Sequence, residues 1–151
     1  MFARRFARRL ARPAVLAGLG ATALLAAHLH AMTMAGPELD YARTRTSVGG
    51  GYRVTWTPEA EPVRKGRLHA WTLNVATPAG QAVDGAVITV NGGMPRHGHG
   101  LPTHPRVTRA LGRGDYVVEG MKFNMGGWWT VTFTIAAPAA AADSVTFNLD
   151  L

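Results

Sequence analysis

Trp129-Thr130-Val131-Thr132-Phe133-Thr134-Ile135 alternates without a break between large apolar residues and threonine. Successive side chains of a strand point to opposite faces, so this period of two places Trp129, Val131, Phe133 and Ile135 on one buried face. The same period recurs along the chain. Tyr52, Val54 and Trp56 carry it first, followed by His69, Trp71, Leu73 and Val75, then Ala86, Ile88 and Val90. Residues 107–111 carry it more weakly, Tyr116 and Val118 mark a further strand, and Val145, Phe147 and Leu149 form the last. Turn chemistry separates the runs at Pro78-Ala79-Gly80, Asp84-Gly85, Gly112-Arg113-Gly114-Asp115 and Gly126-Gly127. The alanine-rich stretch 136–142 contains Pro138, which opposes a helix, and reads as a surface connection. Seven short strands in about 105 residues, with no amphipathic helix between them, predict an all-β fold. The size and strand count are those of an immunoglobulin-like antiparallel β-sandwich.

The start of the chain follows another logic. Arg4, Arg5, Arg8, Arg9 and Arg12 precede an apolar run over residues 14–27, the layout of an export signal. Residues 13–34 together make twenty-two mostly apolar positions, enough for a helix to cross a bilayer of roughly 30 Å. Leu29-His30-Ala31 lacks a small residue two positions before its alanine and is a poor cleavage site. The reading therefore leans toward a retained anchor, with the basic head in the cytoplasm and the domain on the periplasmic face. Secretion into the periplasm after cleavage is the alternative. The predicted organisation is a signal or anchor helix over residues 1–34, a linker over residues 35–51 containing Gly49-Gly50-Gly51, and the sandwich over residues 52–151.

Charge and cysteine content exclude several functions. The net charge of +7 invites a nucleic-acid reading, but five of the 16 basic residues lie in the export segment. The remainder carries 11 basic against 9 acidic residues, so nucleic acid is not an expected partner. With no cysteine there is no disulfide, thiolate ligand or cysteine nucleophile. The two serines, Ser47 and Ser144, sit in no nucleophile elbow, the acidic residues form no catalytic pair, and Gly49-Gly50-Gly51 precedes a strand rather than a phosphate-binding helix. An enzyme is not expected.

Chemistry concentrates in one stretch, Met94-Pro95-Arg96-His97-Gly98-His99-Gly100-Leu101-Pro102-Thr103-His104. Imidazole and thioether are the ligands with which a cysteine-free exported protein would hold copper: sulfur suits Cu(I), and imidazole suits both oxidation states. In an extended segment His97 and His99 would project to one side and meet one ion. Met94 and His104 would complete the set, or Met121 or Met125 from a neighbouring loop. Copper is favoured over zinc by softness, without excluding zinc. A plainer reading exists for each residue. Histidines are common in glycine-proline loops, and Met121 and Met125 flank Phe123 and would equally pack against aromatic rings. His69 shares the apolar face of Trp71 and reads as structural. Of Trp128 and Trp129, one should face the core and the other outward.

Two blocks of sequence resemble the FixH/YtkA-like family. The first is Gly85-Ala86-Val87, then a strand, then Met94-Pro95-x-His97-Gly98-His99-Gly100. The second is Gly114-Asp115-Tyr116, leading through Gly120-Met121-Lys122-Phe123 and Met125-Gly126-Gly127-Trp128 into the strand at 129–135. The likeness spans about residues 62–135. It implies an exported or membrane-anchored β-sandwich associated with copper handling or maturation of respiratory oxidases. Position by position, it places His97 and His99 in the family's His-Gly-His loop, Met94 at its methionine, and Met121 and Met125 in the second block. His104 lies just beyond the matched part.

These readings converge on a copper-binding protein that passes Cu(I) or Cu(II) to a cuproenzyme, such as a haem-copper oxidase, or to its assembly factors. The rival is a metal-free accessory module that docks a membrane or periplasmic partner through the 94–105 loop, including Pro102, together with Trp128. Rings of His97 and His99 that point apart would favour the rival.

Overall fold

The computed structural model describes residues 38–138 and 140–151, so the predicted signal or anchor over residues 1–34 lies outside the described residues. The described chain is all β, with no helix. Its nine strands are β1 (Thr44–Thr46), β2 (Arg53–Pro58), β3 (Leu68–Ala76), β4 (Val87–Met94), β5 (His99–Gly100), β6 (Arg106–Gly112), β7 (Asp115–Lys122), β8 (Trp128–Ala136) and β9 (Asp143–Asp150). Seven of them, β2, β3, β4, β6, β7, β8 and β9, are the strands that the alternation predicts.

All pairings are antiparallel, along the path β1-β2-β3-β7-β6-β4-β8-β9. The β4–β6 junction is a single residue pair, Thr89 with Arg106. It divides the path into a sheet β2-β3-β7-β6 and a sheet β4-β8-β9, the four-plus-three arrangement of a constant-type immunoglobulin domain. Side chains from both sheets share one core. Trp56 and Trp71 stack with ring centroids 4.3 Å apart, and Trp71 leads on to Phe123. Phe123 meets Trp129 edge-on at 5.3 Å, and Trp56 meets Phe147 at 6.5 Å. Such pairs contribute about 0.5–1.5 kcal/mol beyond the burial of their area. The indole N–H groups of Trp56 and Trp71 find no acceptor among the described residues, a cost of about 1–3 kcal/mol each that the stack must offset. Among the described residues the core lies within Leu39–Leu151, a compact unit with its own hydrophobic cluster.

Three expectations need correction. First, residues 35–51 are not all linker. Thr44–Thr46 forms β1 on the edge of β2, and Arg45 donates to the Thr146 carbonyl of β9 at 2.6 Å. Gly49-Gly50-Gly51 is structural as well. Asp143, at the start of β9, accepts from Ser47 Oγ at 2.5 Å, from the Gly49 amide at 2.9 Å and from the Gly51 amide at 3.1 Å. A side chain at position 49 would put its Cβ 3.0 Å from the Asp143 carboxylate. Gly49 and Gly51 let the backbone approach an anion closely, and Gly50 between them takes φ +76° to make the turn. These donors hold the Asp143 carboxyl down at about 2, the Ser47 hydroxyl contributing most.

Second, Met121 belongs to strand β7 and not to a loop. A bulge in the β3–β7 register between His69 and Ala70 shifts the alternation, and the buried face continues from Val118 to Met121 and Phe123. Third, residues 97–99 are not an extended segment, because β4 and β5 form a hairpin whose turn is Pro95-Arg96-His97-Gly98.

Candidate metal centre

The antiparallel order brings the ends of β2, β4, β7 and β9 and the starts of β1, β3 and β8 to one end of the sandwich. The histidine turn and the Met125-Gly126-Gly127-Trp128 stretch both lie there. Gly92-Gly93 prepares the turn. A side chain at Gly92 would meet the Thr130 carbonyl at 2.7 Å, and one at Gly93 would strike the His99 carbonyl. Only glycine lets β8 and β5 flank β4 this closely. The amides of His97 and Gly98 both donate to the Met94 carbonyl at 3.0 Å, and Gly98 takes φ +65° to close the hairpin.

The turn lifts His97 and His99 onto the exposed surface. Their rings lie within 9° of parallel, with centroids 6.3 Å apart. A metal lies in the plane of each imidazole that binds it, so these stacked rings must turn on their side-chain torsions before one nitrogen of each meets a shared ion at about 2.0–2.1 Å; what the turn supplies is proximity. Thus the hairpin brings the pair together, although by a route other than the extended segment expected of it.

The methionines divide. Met94, the last residue of β4, is 2% exposed, and its methyl lies 3.5 Å from where a Cβ on Gly127 would stand. Met121 is 0% exposed, deep in the core. Both thioethers therefore pack in the hydrophobic core, where methionine fills space between aromatic rings. Met125 is 36% exposed and remains a soft donor within the second block. His104 is exposed on a segment that crosses β7 at Gly120, where Thr103 Oγ donates to the Gly120 carbonyl at 2.6 Å. Among the described residues no three His, Cys, Asp or Glu side chains group to hold a metal. The exposed nitrogen donors of the turn are the two imidazoles.

Trp128 links the two blocks. Arg96, in the histidine turn, places its guanidinium 5.6 Å from the centroid of the Trp128 ring. Trp128 Nε1 donates to Asn148 Oδ1 at 3.0 Å, so this half-buried ring is fixed while its neighbour Trp129 fills the core. Pro102 is exposed beyond β5. His69 has a structural role: its Nε2 lies 2.8 Å from the Arg64 carbonyl and 3.2 Å from the Arg64 amide, bracing the β2–β3 loop in either tautomer. The sequence reading passed over that loop, although three cations in four residues, Arg64, Lys65 and Arg67, signalled it.

A crystal structure of a DUF4426 family protein from Pseudomonas aeruginosa PAO1 is similar in fold, with a TM-score of 0.52 and 16% sequence identity. The alignment covers 72% of this chain and 94% of that one, and at such identity the likeness concerns fold alone. No curated protein matches the sequence. Residues 46–134, which hold both motif blocks and the sandwich strands β2 to β7 with most of β8, match the YtkA-like family; the chain belongs to it.

Proposed function

We propose that this protein is an exported or membrane-anchored copper-binding accessory protein, which holds copper at His97 and His99 and hands it to a cuproenzyme or its assembly factors. The observation that carries this reading is the pair of near-parallel, exposed imidazoles 6.3 Å apart on a hairpin turn. Two nitrogen donors suit either copper oxidation state. A site with few ligands on an exposed turn also suits transfer, since an acceptor replaces the donors one at a time. Met125 is the soft donor best placed to join them, because Met94 and Met121 would have to leave the core first. His104 is the remaining candidate from the same loop.

A second reading has its own support. No three-ligand group forms among the described residues, Arg96 and Trp128 build an aromatic-cationic surface, and Pro102 is exposed in the same 94–105 loop as Arg96. That favours a metal-free module that docks a periplasmic partner. Nuclear magnetic resonance separates the two. On adding Cu(I), the imidazole signals of His97 and His99 should move together and saturate at one equivalent, with the methyl signals of Met94 and Met121 unmoved. Histidine signals that do not respond would leave the docking module.

A further inference from the structure

The β2–β3 loop lies at the same end of the sandwich, and it is built to hold its shape. His69 braces it at Arg64, the Gly66 amide donates to the Phe123 carbonyl at 2.7 Å, and the Arg67 amide reaches back to the Arg64 carbonyl. So fixed, the loop presents Arg64, Lys65 and Arg67 to solvent, followed by Leu68, which is 68% exposed. Leu68 pairs in register with Lys122 on β7. Among the described residues, none of these four cations takes part in a salt bridge. The acidic groups nearest in the chain point elsewhere: Glu61 is engaged by Arg43, and Glu59 borders a cleft with Arg109 and Leu111.

We propose that residues 64–68, with Lys122, form a docking surface for an anionic lipid bilayer. Charge complementarity is the first argument: clustered unpaired cations are attracted to anionic headgroups. Leu68 is the second. A leucine exposed among cations gains little from an acidic protein surface, but it buries its side chain at the boundary between headgroups and acyl chains. The third is where the described chain begins. Tyr41 and Arg43 line a cleft with Glu61, Pro62 and Leu149 at this end, so the chain enters the domain beside the loop. Only residues 35–38 separate it from the apolar stretch 13–34. The inference does not rest on copper binding.

Co-sedimentation of the Leu39–Leu151 domain tests it, using vesicles of phosphatidylcholine alone and vesicles mixed with phosphatidylglycerol. The domain should bind the mixed vesicles and not the neutral ones. Each basic residue near the surface is worth about fivefold in partitioning, so Arg64→Ala/Lys65→Ala/Arg67→Ala should lose on the order of 100-fold and Lys122→Ala about fivefold. Leu68→Ser should weaken binding several-fold with every charge kept. Circular dichroism confirms that the variants fold. No binding to the mixed vesicles, equal binding to neutral ones, or an unaffected triple variant would overturn the proposal. So would loop-dependent retention on immobilised polyglutamate without vesicle binding, which would assign the surface to an acidic protein.

Discussion

The two ends of the sandwich use glycine and charge in opposite ways. At one end the amides of Gly49 and Gly51 turn inward onto the Asp143 carboxylate, ninety-four residues from Gly49, while the Gly50 amide closes the turn on the Ser47 carbonyl. At the other, Gly98 closes a turn that carries two imidazoles outward, over methionines that stay in the core. The first end fastens β9 to the β1–β2 turn, and the second presents imidazoles to solvent. The role of a glycine-rich stretch is therefore decided by what its backbone amides meet, and not by its composition.

Substitutions should separate the two ends, starting with the buried methionines. Met94→Ala or Met121→Ala should cost about 2–5 kcal/mol in urea unfolding, the range for emptying a buried methionine site. Met94→Leu, which conserves volume, should cost less than about 1.5 kcal/mol and leave copper stoichiometry unchanged. A lost equivalent of copper in this folded variant would return Met94 to the ligand set.

The carboxylate end should respond to acid. Asp143 titrates at about 2 in the folded protein, below its ordinary 3.8. Its contribution to stability is thus present above the ordinary value and lost as pH falls through about 2. Asp143→Asn should lower the melting temperature at neutral pH and flatten the fall of that temperature between those two values. An unchanged acid profile would show that the amide cradle does not stabilise the fold.

Gly98→Ala probes the turn. A non-glycine residue at φ +65° costs about 1–2 kcal/mol, and relaxing that strain would reorient His97 and His99 and weaken metal binding. The smallest effect on stability belongs to the histidines themselves. His97→Ala/His99→Ala changes exposed side chains and should stay within about 0.5 kcal/mol of the parent.

Much of the fold was legible because large apolar residues alternate where strands are buried, as in β8 and β9. The two strands that escaped have no such pattern. Thr44–Thr46 carries no apolar residue, and His99–Gly100 is two residues long. The Asp143 cradle was hidden because its partners are remote in sequence. Of the candidate residues, composition located the histidine turn. It could not tell a thioether that packs from one that binds, and that difference depends on the bulge at His69 and on Gly127 standing over Met94.

The most direct test of the account is a competitive Cu(I) titration of the Leu39–Leu151 domain beside its His97→Ala/His99→Ala variant. The account predicts one tightly bound equivalent in the parent, none above background in the variant, and coincident unfolding curves for both. Equal copper binding by the two proteins, or none by either, would contradict it.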